Sequence, residues 1–429
     1  MHDSNTTGFE LPRCYPGTRT AIQRDLVRWV EDAGGHPIYW LYAPAGSGKS
    51  AIAKTFADAC AISARRHLLA SFFFRRTSVH QNTEERFIST IAYQIMTNLP
   101  QTSHFIANAV NADPAIFQKD LRVQMDELVL YPLIQACETA TPAVCATWPR
   151  LLVIDGLDEC SGEAAQRKIL DAISHLVRQT PFPLAIFLSC RPAAHIRGAF
   201  QTGFLSTASL RICLPDTYDS QDDIRTFLIG EFQLARAHSQ FLEFPRDWPG
   251  EDIIFKLIRK SSGQFIYVST VMKYINVPHD NPMDRLEIVL GLQRASDSEN
   301  PFAELDALYR HILKFIDVRY LPTVVLMLQV TLAQSQQEDY LYPPPDLQCE
   351  LASFLRLRSG DLEYALKNLE GILVERLTNT PSLKFHHASF ADFLLDEKRS
   401  GGYFINISFA YSQYIVHLFR FIFGDVIAP

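Results

Sequence analysis

The stretch Ala43-Pro44-Ala45-Gly46-Ser47-Gly48-Lys49-Ser50 directly follows an apolar run at residues 37–42. The run predicts a buried strand, and the small residues with two glycines predict a tight loop that opens a helix near Gly48. Backbone N–H groups of such a loop converge on an anion, and the positive end of the helix adds to the attraction. The stretch matches the pattern G-x-x-x-x-G-K-[ST], except that Ala43 replaces the first glycine. Alanine fits there if its backbone keeps a negative φ.

This loop predicts a site for a nucleotide. Lys49 supplies a cation for the outer phosphates, and the Ser50 hydroxyl is placed to bind Mg²⁺. The nucleotide-binding residues predicted in the loop are Pro44, Ala45, Gly46, Ser47, Gly48, Lys49 and Ser50.

A second apolar run, at residues 151–154, ends in Asp155 and is followed by an acidic pair, Asp158 and Glu159. A buried strand that ends in aspartate, far downstream of a phosphate loop, predicts the second Mg²⁺ ligand of a nucleoside triphosphatase. We assign Glu159 as the group that polarises the attacking water and Asp158 as its partner. The alternative is a solvated acidic turn that merely follows a strand.

The next apolar strand ends in Ser189-Cys190-Arg191-Pro192. The planar guanidinium of Arg191 suits phosphate oxygens and could sense the terminal phosphate. The alternative is a surface arginine that closes a strand. The predicted catalytic residues are therefore Asp158, Glu159 and Arg191.

Short apolar strands alternate with helices over the first half of the chain. This order predicts an α/β fold with a parallel sheet covered by helices on both faces. The strands are expected at 37–43, 68–74, 151–155, 184–189 and 208–214, with helices at 83–98, 102–111, 120–138 and 163–179. Because ligands bind at the carboxyl ends of parallel strands, Ala43, Asp155 and Arg191 are expected at one edge of the sheet.

Helical periodicity dominates after residue 217. Helices are expected at 222–232, 252–260, 265–274, 282–290 and 304–316, then at 347–357 and 361–369 before a hairpin at 371–376 and 383–387. Helix, helix and hairpin is the order of a winged-helix domain. The predicted divisions are a tail at 1–17, a nucleotide-binding domain at 18–215, an all-helical domain at 216–300, a winged-helix-like domain at 301–400 and a C-terminal segment at 401–429 whose structure the pattern does not define.

Composition narrows the classes of protein. The chain of 429 residues has 47% apolar content and a net charge of −7, which argues against disorder and against a general nucleic-acid binder. Eight cysteines without a C-x-x-C pair indicate free thiols in a reducing, cytoplasmic compartment, and the polar N-terminus lacks a signal peptide. Polar residues interrupt the apolar segment at 403–423, so we expect a packed or interfacial helix and no membrane span.

Adjacent histidines, His386 and His387, lie in the predicted hairpin. Neighbouring residues on a strand point to opposite faces, so a shared metal ion is disfavoured. Contact between one histidine and a bound diphosphate is one interpretation; histidines within a polar surface of the wing are the other.

Several motifs together resemble the NACHT-type signal-transducing NTPases of the NOD-like receptor group, and particularly the fungal members. The resemblance covers about residues 15–400. It is carried by APAGSGKSAIAKTFADAC, ASFFF, LLVIDGLDEC, FLSCRP, SSGQFIYVSTVMKYI, LDALYRHIL and FHHASFADFLLDEKRSG.

The resemblance implies a switch in fungal non-self recognition or programmed cell death. ATP and ADP with Mg²⁺ would be its ligands, with GTP left open. ADP would favour a closed form that His387 holds through the diphosphate, and ATP an open form that self-associates. Phe265 stands where related proteins often have proline. We expect neither a separate effector domain before residue 15 nor sensing repeats after residue 400, although members of the group usually carry one or both. Two alternatives stay open: a constitutive remodelling NTPase, and a truncated scaffold that associates with full-length homologues.

Overall fold

The structure is a computed structural model of the chain. It describes residues 11–32, 35–63, 66–76, 78, 81–238, 243–277, 280–291, 302–314, 316–335, 369, 373–374, 384–385 and 387–423. The chain divides into two compact units, Met1–Ser220 and Gln221–Pro429.

A parallel sheet forms the centre of the first unit. Its strands are Ile38–Tyr42 (β1), Leu68–Phe73 (β2), Leu151–Asp155 (β3), Ala185–Cys190 (β4) and Ser209–Cys213 (β5). Within the described residues these five strands pair in the order β2-β3-β4-β1-β5, and every pair is parallel. The predicted α/β class with a parallel sheet is therefore confirmed.

Helices cover both faces of this sheet. Leu152 and Ile154 pack in one apolar cluster with helical residues such as Ile169, whereas Leu151 and Val153 pack in another on the opposite face. Alternate residues of β3 thus face opposite layers, as the two-residue repeat of a strand requires. Burial on both faces explains why β1 to β4 are almost continuously apolar.

The helices of the first unit are Thr20–Glu31 (α1), Lys49–Ile62 (α2), Phe87–Asn98 (α3), Ser103–Ala112 (α4), Leu121–Met125 (α5), Tyr131–Glu138 (α6), Pro142–Cys145 (α7), Glu163–Gln179 (α8), Ala194–Gln201 (α9), Gly203–Ala208 (α10) and Leu214–Thr217 (α11). A π-helical turn at Asp126–Leu130 joins α5 to α6.

Side chains from α3 satisfy part of the edge strand β2. The Gln94 side chain accepts a hydrogen bond from the Ser71 N–H and donates one to the Ser71 carbonyl, at 2.9 and 2.8 Å. Asn98 donates to the Leu69 carbonyl at 2.8 Å. An edge strand otherwise offers its backbone groups to another chain, so these contacts protect the edge.

The second unit is mainly helical in its described residues. Its helices are Gln221–His238 (α12), Glu251–Ser261 (α13), Phe265–Ile275 (α14), Pro282–Gly291 (α15), Ala303–Lys314 (α16), Leu321–Ser335 (α17), Ala388–Leu394 (α18), Glu397–Ser400 (α19) and Ile407–Phe423 (α20). Leu373–Val374 (β6) and Lys384–Phe385 (β7) form a short antiparallel pair.

Helix α17 was not expected from the sequence. The helix pair expected at 347–357 and 361–369 lies outside the described residues except for Leu369, so the winged-helix order stays a prediction. The segment predicted to be a packed or interfacial helix contains α20, whose Ala410 and Tyr414 are buried. Among the described residues, no helix combines the length and apolar content that crossing a bilayer requires.

Candidate nucleotide site

The predicted phosphate loop joins β1 to α2, and its glycines have the backbone that the turn needs. Gly46 and Gly48 have φ values of 75° and 90°, a left-handed conformation that glycine adopts readily. Ser47 Oγ donates to the Pro44 carbonyl at 3.0 Å, which closes the turn from within. Ala43 is not among the described non-glycine residues with positive φ, as expected for alanine at this position.

The Lys49 ammonium lies inside the curve of this loop. Its Nζ donates to the carbonyls of Ala43 and Pro44, each at 2.9 Å. Burial lowers the pKa of Lys49, and the nearby Arg191 lowers it further, whereas Asp158 raises it. Because the Lys49 ammonium is shielded from water, its electrostatic attraction to a phosphate bound in the loop would be strong.

Asp155, at the end of β3, is buried between hydroxyl groups from two other elements. Its Oδ1 accepts a hydrogen bond from Ser189 Oγ of β4, and the Ser50 hydroxyl of α2 lies near the same carboxylate. Burial raises the pKa of Asp155, while the two hydroxyls and the Lys49 ammonium oppose that rise. A carboxylate beside a hydroxyl is a set of oxygen donors that suits Mg²⁺.

The register of the sheet brings these groups together. Leu41 of β1 pairs with Ser189 of β4, and Ser189 pairs in turn with Asp155 of β3. The three neighbouring strands therefore end at the same level, and the residues that follow them share one edge of the sheet.

A glycine makes the turn after Asp155 possible. Gly156 has φ 72°, and a Cβ atom there would lie 2.9 Å from the carbonyl oxygen of Phe74. Its N–H donates to the Ser189 carbonyl at 2.8 Å. The turn Leu157–Glu159 that follows presents the acidic pair.

The two acidic residues have different environments. Asp158 accepts from the Arg191 N–H at 2.8 Å, and its Oδ2 lies 3.3 Å from Arg191 Nε. Glu159 accepts from the Arg76 N–H at 3.1 Å. Burial, and then the charge of Asp158, raises the pKa of Glu159 to about 7. A carboxylate with a pKa near neutrality is well matched to proton transfer.

Sequence reasoning missed residues that support this site. Arg19, buried and with φ 55°, donates from Nη2 to the Ser47 carbonyl at 3.0 Å. Gln166 donates to the Cys160 carbonyl at 2.6 Å, and His195 lies 2.6 Å from Gln166 Oε1. No sequence motif includes these three residues, so nothing in the sequence alone marks them.

His387 belongs to the second unit, where it caps α18. Its Nδ1 accepts from the Ser389 N–H at 3.0 Å and lies 2.9 Å from Ser389 Oγ, which is itself 2.9 Å from the Tyr309 hydroxyl. Within the described ranges, no group of three or more His, Cys, Asp or Glu side chains could hold a metal ion. Mg²⁺ is commonly bound through one or two protein ligands together with phosphates, so the pair of Ser50 and Asp155 is compatible with it.

Comparison with known proteins adds one family. Residues 17–191 match the family model described as Nephrocystin 3, N-terminal. No curated protein matches the chain. A Walker-type ATPase of Pyrococcus abyssi, PABY2304, is 16% identical with a TM-score of 0.41, over 89% of this chain and 97% of that one. The Aeropyrum pernix ORC1 protein, solved in complex with DNA, is 15% identical with a TM-score of 0.39, over 94% of this chain and 95% of that one.

These two structural similarities are weak, and the assignment rests on the site and the sheet. A parallel sheet, a phosphate loop between β1 and α2, and an aspartate at the end of β3 beside that loop identify the first unit as a domain of the P-loop NTPase fold.

Proposed function

We propose that the chain binds a nucleoside triphosphate with Mg²⁺ at this edge of the sheet, hydrolyses it slowly, and acts as a nucleotide-dependent switch. One observation carries the proposal: the Asp155 carboxylate lies beside both the Ser50 hydroxyl and the Lys49 ammonium, and each of these groups lowers its pKa. Two oxygen donors and a cation, from the end of β3 and the first turn of α2, converge where the loop would hold phosphates.

The neighbouring residues supply the rest of the chemistry. Lys49 would exchange its two carbonyl partners for phosphate oxygens, while Ser50 and Asp155 hold the metal. Mg²⁺ would neutralise charge on the phosphate oxygens when bound. Glu159 would accept a proton from the attacking water. The Arg191 guanidinium would move from Asp158 to the terminal phosphate and bind it.

The proposal also includes a conformational switch, in which the bound nucleotide controls the second unit. It is supported by the resemblance to fungal NACHT-type proteins. In this proposal His387 would contact the diphosphate in the closed form. We propose that ADP favours the closed form and that ATP permits self-association, in a role in cell death or non-self recognition.

The first test is the nucleotide content of gently purified protein. Acid extraction followed by chromatography should release about one equivalent of ADP, since a switch releases product slowly. Lys49→Ala should abolish this content, whereas Lys119→Ala, at a solvated position outside the site, should not. Nucleotide-free wild-type protein that also fails to bind ATP or GTP with Mg²⁺ would refute the proposal.

Turnover separates the switch from its alternatives. A switch should complete its first turnover and then stall with ADP bound, so steady-state hydrolysis should be far slower than single-turnover hydrolysis. Fast steady-state hydrolysis would favour a remodelling NTPase. Association with a longer homologue that persists in Lys49→Ala would favour a scaffold, and competition between ATP and GTP would identify the base.

A further inference from the structure

The acidic turn is fixed by a side-chain amide on α8. Gln166 Nε2 donates to the Cys160 carbonyl at 2.6 Å and makes a longer contact of 3.5 Å with the Asp158 carbonyl. These two carbonyls lie on either side of Glu159 in the chain. One amide group therefore holds the backbone on both sides of the residue to which we assign water activation.

His195, in the first turn of α9, fixes the orientation of that amide. Its Nε2 lies 2.6 Å from Gln166 Oε1, and because an amide oxygen only accepts, Nε2 carries the proton. His195 Nδ1 lies 3.6 Å from a carboxylate oxygen of Glu163, one turn before Gln166 on α8. The Gln166 residue is 6% exposed and the His195 side chain 8% exposed, so neither group can readily exchange its partner for water.

The same contact joins the two halves of the proposed hydrolytic site. His195 follows Arg191 by four residues in the chain, and Arg191 contacts Asp158 through both its N–H and its guanidinium. The acidic turn is therefore fixed by two contacts, one from Arg191 to Asp158 and one from Gln166 to the Cys160 carbonyl. His195 in turn fixes the Gln166 side chain. A shift of α9 would be transmitted to the turn through these bonds.

We propose that Gln166 and His195 are positioning residues that set the place of the Glu159 carboxylate relative to Arg191. The inference rests on the proposed hydrolysis at this site. Neither residue reaches the phosphate loop through any contact described above, so their effect falls on hydrolysis and not on binding. A displacement of about 1 Å in a catalytic group can slow a reaction by about 100-fold.

The test separates hydrolysis from affinity. Gln166→Leu keeps the approximate volume and removes the amide, so single-turnover hydrolysis of ATP should slow by about 10-fold or more. The dissociation constant of a fluorescent ADP analogue should change by less than about 2-fold, because Lys49, Ser50 and Asp155 are untouched. Gln179→Leu, at the exposed end of the same helix, is the matched control and should hydrolyse normally.

Variants of His195 test the second half of the pair. His195→Gln retains an N–H donor for Gln166 and should keep most of the rate, whereas His195→Leu should resemble Gln166→Leu. The double variant Gln166→Leu/His195→Leu should be no slower than either single variant, because both changes release the same turn. Wild-type rates in Gln166→Leu, or parallel losses of rate and affinity, would overturn the proposal.

Hydrogen exchange distinguishes failure of this inference from failure of the proposed function. Backbone amides of residues 157–161 should exchange about 10-fold faster in Gln166→Leu than in wild type, while those of the phosphate loop should not change. Wild-type protein that neither binds nor hydrolyses nucleotide would refute the proposed function. Equal exchange of the turn in both proteins would refute the positioning pair, whatever the outcome for nucleotide.

Discussion

Ser189 donates a hydrogen bond to the Asp155 carboxylate across the parallel pair β3–β4. Both residues are almost fully buried, with Asp155 3% exposed. Burial alone would favour the protonated acid, which cannot bind a cation well. The hydroxyl from the neighbouring strand, with that of Ser50, opposes this effect and so favours the charged form, which is the form that binds a metal ion.

Ser189→Ala should therefore weaken the response to Mg²⁺. Removal of a group that orients a metal ligand commonly reduces metal affinity by 10- to 100-fold, and we expect a loss of about 10-fold here. A Mg²⁺ titration monitored by the fluorescence of a bound nucleotide analogue measures it. Ser209→Ala is the control, because the buried Ser209 hydroxyl has no hydrogen-bond partner among the described residues. Equal Mg²⁺ responses in the two variants would contradict this role of Ser189.

The raised pKa of Glu159 predicts a pH-dependent stability. The unfolded chain releases this proton near pH 4.5, whereas the folded protein retains it up to about pH 7. Between these values the folded state binds more protons, so the destabilising contribution of Glu159 grows as the pH rises from about 4.5 to 7. It is fully present above pH 7 and absent below about pH 4.5.

Glu159→Gln removes that ionisation and should raise the melting temperature of the first unit at pH 8 by about 3 °C or more. The difference from wild type should shrink steadily as the pH is lowered to 5. Thermal melts in the absence of nucleotide measure it, with the exposed Glu138→Gln as control. A difference of the same size at both pH values would show that Glu159 ionises normally in the folded protein.

Gly156 and Gly48 provide a matched pair for testing the close approach at the acidic turn. Both are left-handed, with φ and ψ of 72° and 32° at Gly156 and of 90° and 17° at Gly48. A Cβ atom at Gly48 would meet no atom within 4 Å, whereas one at Gly156 would press on the Phe74 carbonyl. Phe74 has little freedom to move, since its N–H donates to the Asp155 carbonyl at 2.8 Å.

Gly48→Ala should thus destabilise the first unit by about 1–2 kcal/mol, the usual penalty of a left-handed backbone for an L-residue. Gly156→Ala adds the steric contact and should destabilise it by about 1–3 kcal/mol more. Urea denaturation of nucleotide-free protein gives both values. Equal destabilisation would mean that the turn relaxes away from Phe74.

Much of this architecture could be predicted because its signals are local. The runs that form β1 to β4 are short, apolar and bounded by turn residues, and burial on both faces explains why they show no alternation. Parallel strands place their carboxyl ends together, so Asp155 and Arg191 could be expected near the loop without knowledge of any contact. The register of Ser189 with both Leu41 and Asp155 confirms this expectation about the sheet.

Other features depend on contacts that no local pattern encodes. Gln166 and His195 meet only because α8 and α9 pack side by side, and Arg19 reaches Ser47 through an unusual backbone conformation. Helix α17 was missed for a different reason. Its sequence, LPTVVLMLQVTLAQS, is apolar around most of its circumference and rich in β-branched residues, so it lacks the amphipathic repeat that predicts a helix.

The second unit offers a prediction from two motifs that are far apart in the sequence. Asp306, from LDALYRHIL, is 1% exposed and lies in α16. Arg399, from the motif that ends in DEKRSG, donates from Nη2 to Asp306 Oδ1 at 2.7 Å and from Nε to both carboxylate oxygens at 3.2 Å. The guanidinium also lies over the Phe302 ring, 4.9 Å from its centroid. This pair therefore ties α16 to α19.

Arg399→Met should destabilise the second unit by about 3–5 kcal/mol, because it leaves a buried carboxylate without its guanidinium. The double variant Asp306→Leu/Arg399→Met should be more stable than Arg399→Met, since it removes the stranded charge along with its partner. Arg319→Met breaks an exposed ion pair with Asp317 and should have little effect, which makes it the control. Calorimetry of the full chain measures each change. The variant Lys49→Ala, which lies in the first unit, identifies the transition that belongs to that unit. A double variant less stable than Arg399→Met would show that the pair stabilises the unit beyond what its apolar replacement can restore.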